Sequence, residues 1–139
     1  MMLHPQLQHD CILLGQLPLC AVLWMPDANY PWLILVPQRD NIREIYELSP
    51  EDQQQLTQES SFVAKQLASS FHADKMNIAA LGNMVPQLHI HHVVRYRDDA
   101  AWPAPVWGAK PLKPYSDAAW QAMRSKLDAA IFPTEEPTQ

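Results

Sequence analysis

Glycine is nearly missing. The chain of 139 residues holds three, Gly15, Gly82 and Gly108, where average usage would supply about ten. Neither GxxxxGK[ST] nor GxGxxG occurs, so any phosphate bound here is not held by a glycine-rich cradle. Cysteine is scarce as well. Cys11 and Cys20 stand alone, with no CxxC and no zinc-ribbon spacing, and are expected to be reduced thiols in a cytoplasmic protein. Basic charge is in deficit: ten Lys and Arg face fifteen Asp and Glu, for a net charge of −5 that includes Glu135 and Glu136 near the end. A duplex nucleic acid needs a clustered basic face, so no nucleic-acid partner is expected. Long apolar runs are absent too. The longest, residues 17–25, contains Pro18 and is too short to cross a bilayer. Residues 1–10 show no basic stretch followed by an apolar one. No membrane association is expected.

What is present is proline, thirteen residues, and histidine, six. Three of the histidines, His89, His91 and His92, fall within four positions. The length suits a single domain over residues 1–139. Its core is expected over about residues 11–108, with a C-terminal extension over 109–139.

Short apolar runs at 11–14, 19–25 and 33–36 are broken by Gly15, Pro18, Pro26 and Pro31 and read as strands. Asp27-Ala28-Asn29-Tyr30-Pro31 has turn chemistry and predicts a hairpin-like connection. Ser49-Pro50-Glu51-Asp52 supplies a helix cap, a proline in the first turn and acids on the positive end of the dipole. Leu56, Ser60, Val63, Leu67 and Phe71 then recur at helical spacing, which predicts one amphipathic helix from Pro50 to Phe71 laid on a sheet. Residues 75–81 and 88–96 read as two more strands, and residues 116–131 as a second helix. The chain end, 133–139, is expected to fray. The fold class is α+β, with a largely antiparallel sheet.

Side chains alternate faces along a strand. Gln87, His89, His91 and Val93 share one face of the 88–96 segment. Leu88, Ile90, His92 and Val94 share the other, whose apolar character directs it toward the long helix. Gln87, His89 and His91 are therefore expected in a row. Arg95 and Arg97 follow with no acid between Gln87 and Arg97, a cationic neighbourhood that favours a phosphate. Imidazole attacks phosphorus at neutral pH because one nitrogen is free without an added base. A second imidazole can serve the leaving group. Two histidines on one strand face thus fit nucleophilic phosphoryl or nucleotidyl transfer.

The segment Gln87-Leu88-His89-Ile90-His91-His92-Val93 resembles the histidine triad motif, His-φ-His-φ-His-φ-φ with φ apolar. The flanks resemble the bacterial branch of that superfamily often labelled diadenosine tetraphosphate hydrolase-like. They are Leu81-Gly82-Asn83-Met84-Val85-Pro86 before the motif, Arg95-Tyr96-Arg97-Asp98-Asp99 after it, Trp102-Pro103 with Val106-Trp107-Gly108 beyond, and Tyr30-Pro31-Trp32-Leu33-Ile34-Leu35-Val36-Pro37 upstream. The resemblance covers roughly residues 11–108. It implies the histidine triad (HIT) fold, a sheet of about five strands with one long and one C-terminal helix. It also implies a hydrolase or transferase that cleaves a nucleoside monophosphate from its partner group, or a dinucleoside polyphosphate, through a covalent nucleotidyl-histidine. In the matching register His89 is the nucleophile, His91 stands near the leaving-group oxygen and Gln87 replaces the first histidine. A register shifted by two would put Val93 in the third place. Val85-Pro86 and Arg95-Tyr96 favour the first.

Gln87 donates and accepts hydrogen bonds but cannot shuttle a proton. A nucleotide-binding module with weak or no turnover is therefore the alternative function. His92 lies where the family has an aliphatic residue and is read as a satisfied core histidine. By resemblance Asn77 and Asn83 lie near the phosphate, or equally serve strand-end and turn hydrogen bonds, and Arg95 of the cationic stretch is a further candidate to bind substrate. Trp24 and Trp32 are candidates to stack on a base, with Trp32 equally a core residue, and Asp27 is a candidate ribose contact. No resident metal or cofactor is expected, because zinc needs three or four converging ligands. Magnesium could arrive with a polyphosphate substrate. The family implies a homodimer through the long helix and an edge strand, and the segment 102–108 could reach the partner.

Overall fold

The computed structural model describes residues 2–134, so the expected fraying from 135 onward lies outside the described residues. Five strands form one antiparallel sheet in the order β1-β2-β3-β5-β4. They are β1 (Ile12–Gln16), β2 (Cys20–Trp24), β3 (Trp32–Pro37), β4 (Lys75–Ala79) and β5 (Ile90–Arg95). The helices are α1 (Pro5–Asp10), α2 (Pro50–Phe71) and α3 (Asp117–Ile131). A short 3-10 turn covers Ile45–Glu47. None of the helices is long and apolar enough to cross a membrane.

α2 has the limits its sequence dictates. Ser49 caps it by accepting from Asp52 N, Pro50 fits the first turn, and His72 ends it in the left-handed conformation. Its buried stripe of Leu56, Val63, Leu67 and Phe71 meets Leu33, Leu35, Ile90 and Val94 of the sheet, with Leu127 and Ile131 of α3 beside it. Both long helices thus cover one sheet face. The other face carries Leu23, Trp32, Ile34, Val36 and Val93 and is covered by Leu7, Val85 and Val106, with Trp107 against them. α1 escapes the periodicity argument because it buries Leu7 alone. β5 starts at Ile90 rather than at 88 because Leu88 N donates to Ile42 O, outside the ladder.

One buried acid fixes the start of the sheet. Glu59 of α2 is 4% exposed and accepts from Leu19 N and Cys20 N, each at 2.9 Å, and from Gln55 Nε2 at 2.7 Å. It takes the backbone donors at the β1–β2 turn that the ladder does not use. Gly15 serves the same corner: a Cβ there would come within 2.8 Å of the Phe132 ring. Replacing Glu59 with Ala should orphan both N–H groups, at about 1–3 kcal/mol each. Urea unfolding of Glu59→Ala should show that loss, with Glu59→Gln losing less because it keeps one acceptor. A melt unchanged in Glu59→Ala would contradict this role.

Candidate active site

β5 sorts its side chains as alternation requires. Ile90, His92 and Val94 go to the helix face, and His91 and Val93 to the other. His92 is fully buried. Its Nδ1 meets Ile90 O at 3.1 Å, and its Nε2 meets Ser60 Oγ at 2.7 Å. A carbonyl only accepts, so Nδ1 carries the hydrogen and the Ser60 hydroxyl donates to Nε2. His92 is a satisfied core residue facing α2.

His89 and His91 occupy the opposite face as a pair, with ring centroids 5.0 Å apart. His89 Nδ1 lies 2.7 Å from the carbonyl of Gln87. That acceptor forces the hydrogen onto Nδ1 and leaves the Nε2 lone pair free. His91 has the reverse arrangement. The indole Nε1–H of Trp32 points at His91 Nδ1 from 3.0 Å. Indole nitrogen donates only, so His91 Nδ1 accepts and its hydrogen sits on Nε2. Trp32 reaches it from β3, where Ile34 is paired with His91 and Trp32 with Val93, a diagonal within reach of an aromatic side chain. Trp107 closes over His91 with ring centroids 5.2 Å apart, edge to face. Its own Nε1 is buried without a partner among the described residues. Burial pushes His91 down to about 3, helped by the neighbouring His89 and His92. Burial pushes His92 down to about 4 against the opposing bond to Ile90 O.

Gln87 precedes the strand, and its amide does not join the pair. Its Oε1 accepts from His4 N at 2.7 Å and its Nε2 donates to Met2 O at 3.2 Å. The side chain ties down the N-terminal segment, while the backbone carbonyl serves His89.

The expected cationic stretch is corrected by Asp99. Arg95, 1% exposed, is paired with both Asp99 oxygens and also donates to Asn77 Oδ1 and Ala104 O. Burial alone would raise the Asp99 carboxyl. The bonds from Arg95 and from Tyr96, Trp102 and Ala101 N–H groups instead bring it down to about 2. Arg95 and Asn77 therefore hold the loop that carries Trp102 and Trp107, with Trp102 stacked under the guanidinium at 5.5 Å. Within that segment Val106 is buried and Trp102 and Trp107 are half-buried against their own chain, while Pro103, Ala104, Pro105 and Gly108 are exposed.

Trp24 is corrected as well. It is fully buried on the helix face against Tyr115 and Trp120, with the sheet between it and the histidine pair, so it cannot stack on a base there. Asp27, the candidate ribose contact, is 4% exposed. It accepts from Asn29 N and Lys113 N and anchors the segment leading to α3. Asn83 is exposed in the turn before β5 and makes no side-chain hydrogen bond among the described residues. Among those residues no group of three or more His, Cys, Asp or Glu is gathered for a metal.

A crevice of only about 10 Å³ beside His89 lies between two loops. One carries Arg43 and Glu44, the other Ala80, Leu81 and Gly82. Arg43 also lines a separate groove of about 770 Å³ beside His4, Gln8, Asp40, Asn41 and Gln87. Sequence reasoning missed Arg43 and the contact of Trp107, because loop residues carry no periodicity.

The chain matches the HIT domain family over residues 6–98. A histidine triad protein from Marinobacter aquaeolei superposes with a TM-score of 0.90 at 51% identity, over 94% of this chain and 95% of that one. A histidine triad protein from Bradyrhizobium japonicum gives 0.91 at 46% identity, over 94% and 98%. A hypothetical histidine triad nucleotide-binding protein from Sulfolobus tokodaii shares the fold at 0.65 and 12% identity, over 88% and 84%. No curated protein matches.

The two buried neutral imidazoles set an acid limit. Unfolded, each takes a proton near 6.5; folded, His92 waits until about 4 and His91 until about 3. Between those values the unfolded state binds more protons, so stability falls as pH falls through this window. Urea midpoints should drop from neutral pH downward, less steeply in His92→Leu. An equal slope in that variant would contradict the assignment.

Proposed function

The chain belongs to the HIT family, and on that premise we propose that it is a nucleotidyl hydrolase working through a nucleotidyl-His89 intermediate. The observation that carries this is the pair of opposed tautomers. His89 Nε2 holds a lone pair and His91 Nε2 holds a hydrogen, on one strand face and 5.0 Å apart ring to ring.

His89 Nε2 attacks the phosphorus of a nucleoside monophosphate joined to a leaving group X. The P–N bond forms, the P–X bond breaks, and X departs with the bonding pair. The adduct keeps its hydrogen on Nδ1, where Gln87 O holds the positive imidazolium ring. His91 Nε2–H donates a hydrogen bond to the oxygen that gathers charge, which is electrostatic stabilisation. Water then attacks phosphorus and the P–N bond breaks. The nucleoside monophosphate leaves, one proton passes to solvent, and His89 returns to its starting form. Gln87 supplies its carbonyl to this cycle and needs no titrating side chain.

A binding module without turnover is the second reading, favoured by the closure of Trp107 over His91. The proposed assembly is a homodimer. β4 is an edge of the sheet and leaves Ile78 49% exposed, an edge that natural proteins usually cover. The proposed compartment is the cytoplasm, in keeping with two buried free thiols.

Intact-mass analysis after brief mixing with an adenosine dinucleotide polyphosphate should show one added nucleotide monophosphate, absent in His89→Ala. Steady-state turnover should fall by about a thousandfold or more in that variant. Tight binding with no turnover over hours would select the binding module instead. Light scattering at micromolar concentration should give twice the chain mass, and a monomer would contradict the dimer.

A further inference from the structure

Gln87 turns its amide away from the histidines and directs it to the N-terminal segment. The backbone groups it meets fix the sense of each bond. His4 N only donates, so Oε1 accepts at 2.7 Å, and Met2 O only accepts, so Nε2 donates at 3.2 Å. The carbonyl of residue 2 and the N–H of residue 4 are the pair of groups that an extended segment offers to one residue of a parallel neighbour. The side-chain amide takes that neighbour's place. An imidazole also has a donor and an acceptor, but its two nitrogens point apart across the ring. A histidine at 87 could meet one of these backbone groups and not both.

The same residue supplies the carbonyl that keeps the hydrogen on His89 Nδ1. That carbonyl belongs to the peptide unit between Gln87 and Leu88. The unit is trans and planar, so its C=O and its N–H point in opposite directions. The N–H end is fixed, because Leu88 N donates to Ile42 O at 2.9 Å. The C=O end meets only the His89 ring. Residues 80–89 lie between β4 and β5, outside the ladder, and residues 81–84 and 86 are exposed. A unit held at one end can pivot about it. The Gln87 side chain stops the pivot by tying the residue at the carbonyl end to Met2 and His4. The N-terminal segment is a firm anchor. Leu7 is 5% exposed, and Leu3 packs against the apolar cluster that holds Leu7 and Val85. Were the carbonyl to swing away, His89 could carry its hydrogen on Nε2 instead. That form has no lone pair where the phosphorus is met.

We infer that Gln87 is a positioning residue whose amide clasps residues 2–4 and thereby holds the Gln87 carbonyl on His89 Nδ1, which makes the N-terminal segment part of the working site. The effect on rate rests on the proposed nucleotidyl transfer to His89; the effect on the tautomer does not. Glutamine at this position is a working part in its own right, not a histidine that has been lost.

The test follows the His89 tautomer by long-range ¹H–¹⁵N correlation, and turnover with diadenosine tetraphosphate as the probe, in wild type, Gln87→Ala, Gln87→Glu, Gln87→His, His4→Pro and His4→Ala. His4→Pro deletes the N–H that Gln87 Oε1 accepts, far from the strand. His4 already has a φ of −54°, which proline adopts. The substitution also removes the ring that accepts from Gln6 N. His4→Ala is its control, since the ring goes and the N–H stays. In Gln87→Ala and in His4→Pro part of His89 should carry its hydrogen on Nε2. In both, kcat should fall by about tenfold or more with KM unchanged, as when a reacting group is misaligned. His4→Ala should show the wild-type tautomer. Gln87→Glu keeps the acceptor and loses the donor, and should lie between wild type and Gln87→Ala. Gln87→His should be no faster than wild type. A wild-type His89 tautomer in either Gln87→Ala or His4→Pro overturns the inference. So does a Gln87→His faster than wild type, which would show that the position wants a titrating ring. Where wild type itself never turns over the tetraphosphate, the proposed function fails and the tautomer comparison alone decides the clasp.

Discussion

A hydrogen bond that can run in only one direction governs the chemistry of this protein. The Trp32 indole donates to His91 Nδ1 and can do nothing else, so the state of that imidazole is decided by the fold before any ligand arrives. The Gln87 carbonyl decides the state of His89 in the opposite sense. Two like residues two positions apart on one strand thus acquire unlike atoms at their outer ends, a lone pair on one and an N–H on the other. Alternation along β5 brings them to one face. The β3–β5 register brings Trp32 to them. Each link is a consequence of antiparallel pairing.

The charged groups serve this arrangement indirectly. Arg95 and Asp99 form a fully buried pair whose hydrogen bonds are nearly all satisfied. A buried pair of this kind is poor evidence for stability in itself. Its effect here is to set the path of the loop from Tyr96 to Trp107, and so to lay Trp107 on His91. The histidines are left only 6–7% exposed, and hydrogen bonds to a forming charge are stronger in so shielded a site.

Much of this was legible in the sequence, for identifiable reasons. α2 declared both ends through its cap and its stripe. The histidine face followed from period-2 alternation, because Ile90 and Val94 mark the core side unambiguously. His92 read correctly as a core residue on the same ground. Trp24 did not. β2 and β3 are apolar at every position, so neither face is marked and period gives no answer. Only the register shows Trp24 among the helices and Trp32 beside His91. Asp27, Asn77 and Arg95 were recognised as chemistry-bearing types, but residue type does not say which partner consumes a side chain. For Arg95 that partner is Asp99, four residues further on. Arg43 owes its place to a loop tied by backbone N–H groups, which leave no pattern to read, and alternation marks Gln87 but not the turn of its amide to the N-terminal segment.

The tautomers themselves are measurable. Long-range ¹H–¹⁵N correlation spectra of histidine-labelled protein at neutral pH report which ring nitrogen of each histidine carries a hydrogen. His89 should show a protonated Nδ1 and a bare Nε2, and His91 a bare Nδ1 and a protonated Nε2, with His91 holding that form well below pH 6. A His91 protonated on both nitrogens near neutrality, or the same tautomer in both residues, would contradict the account.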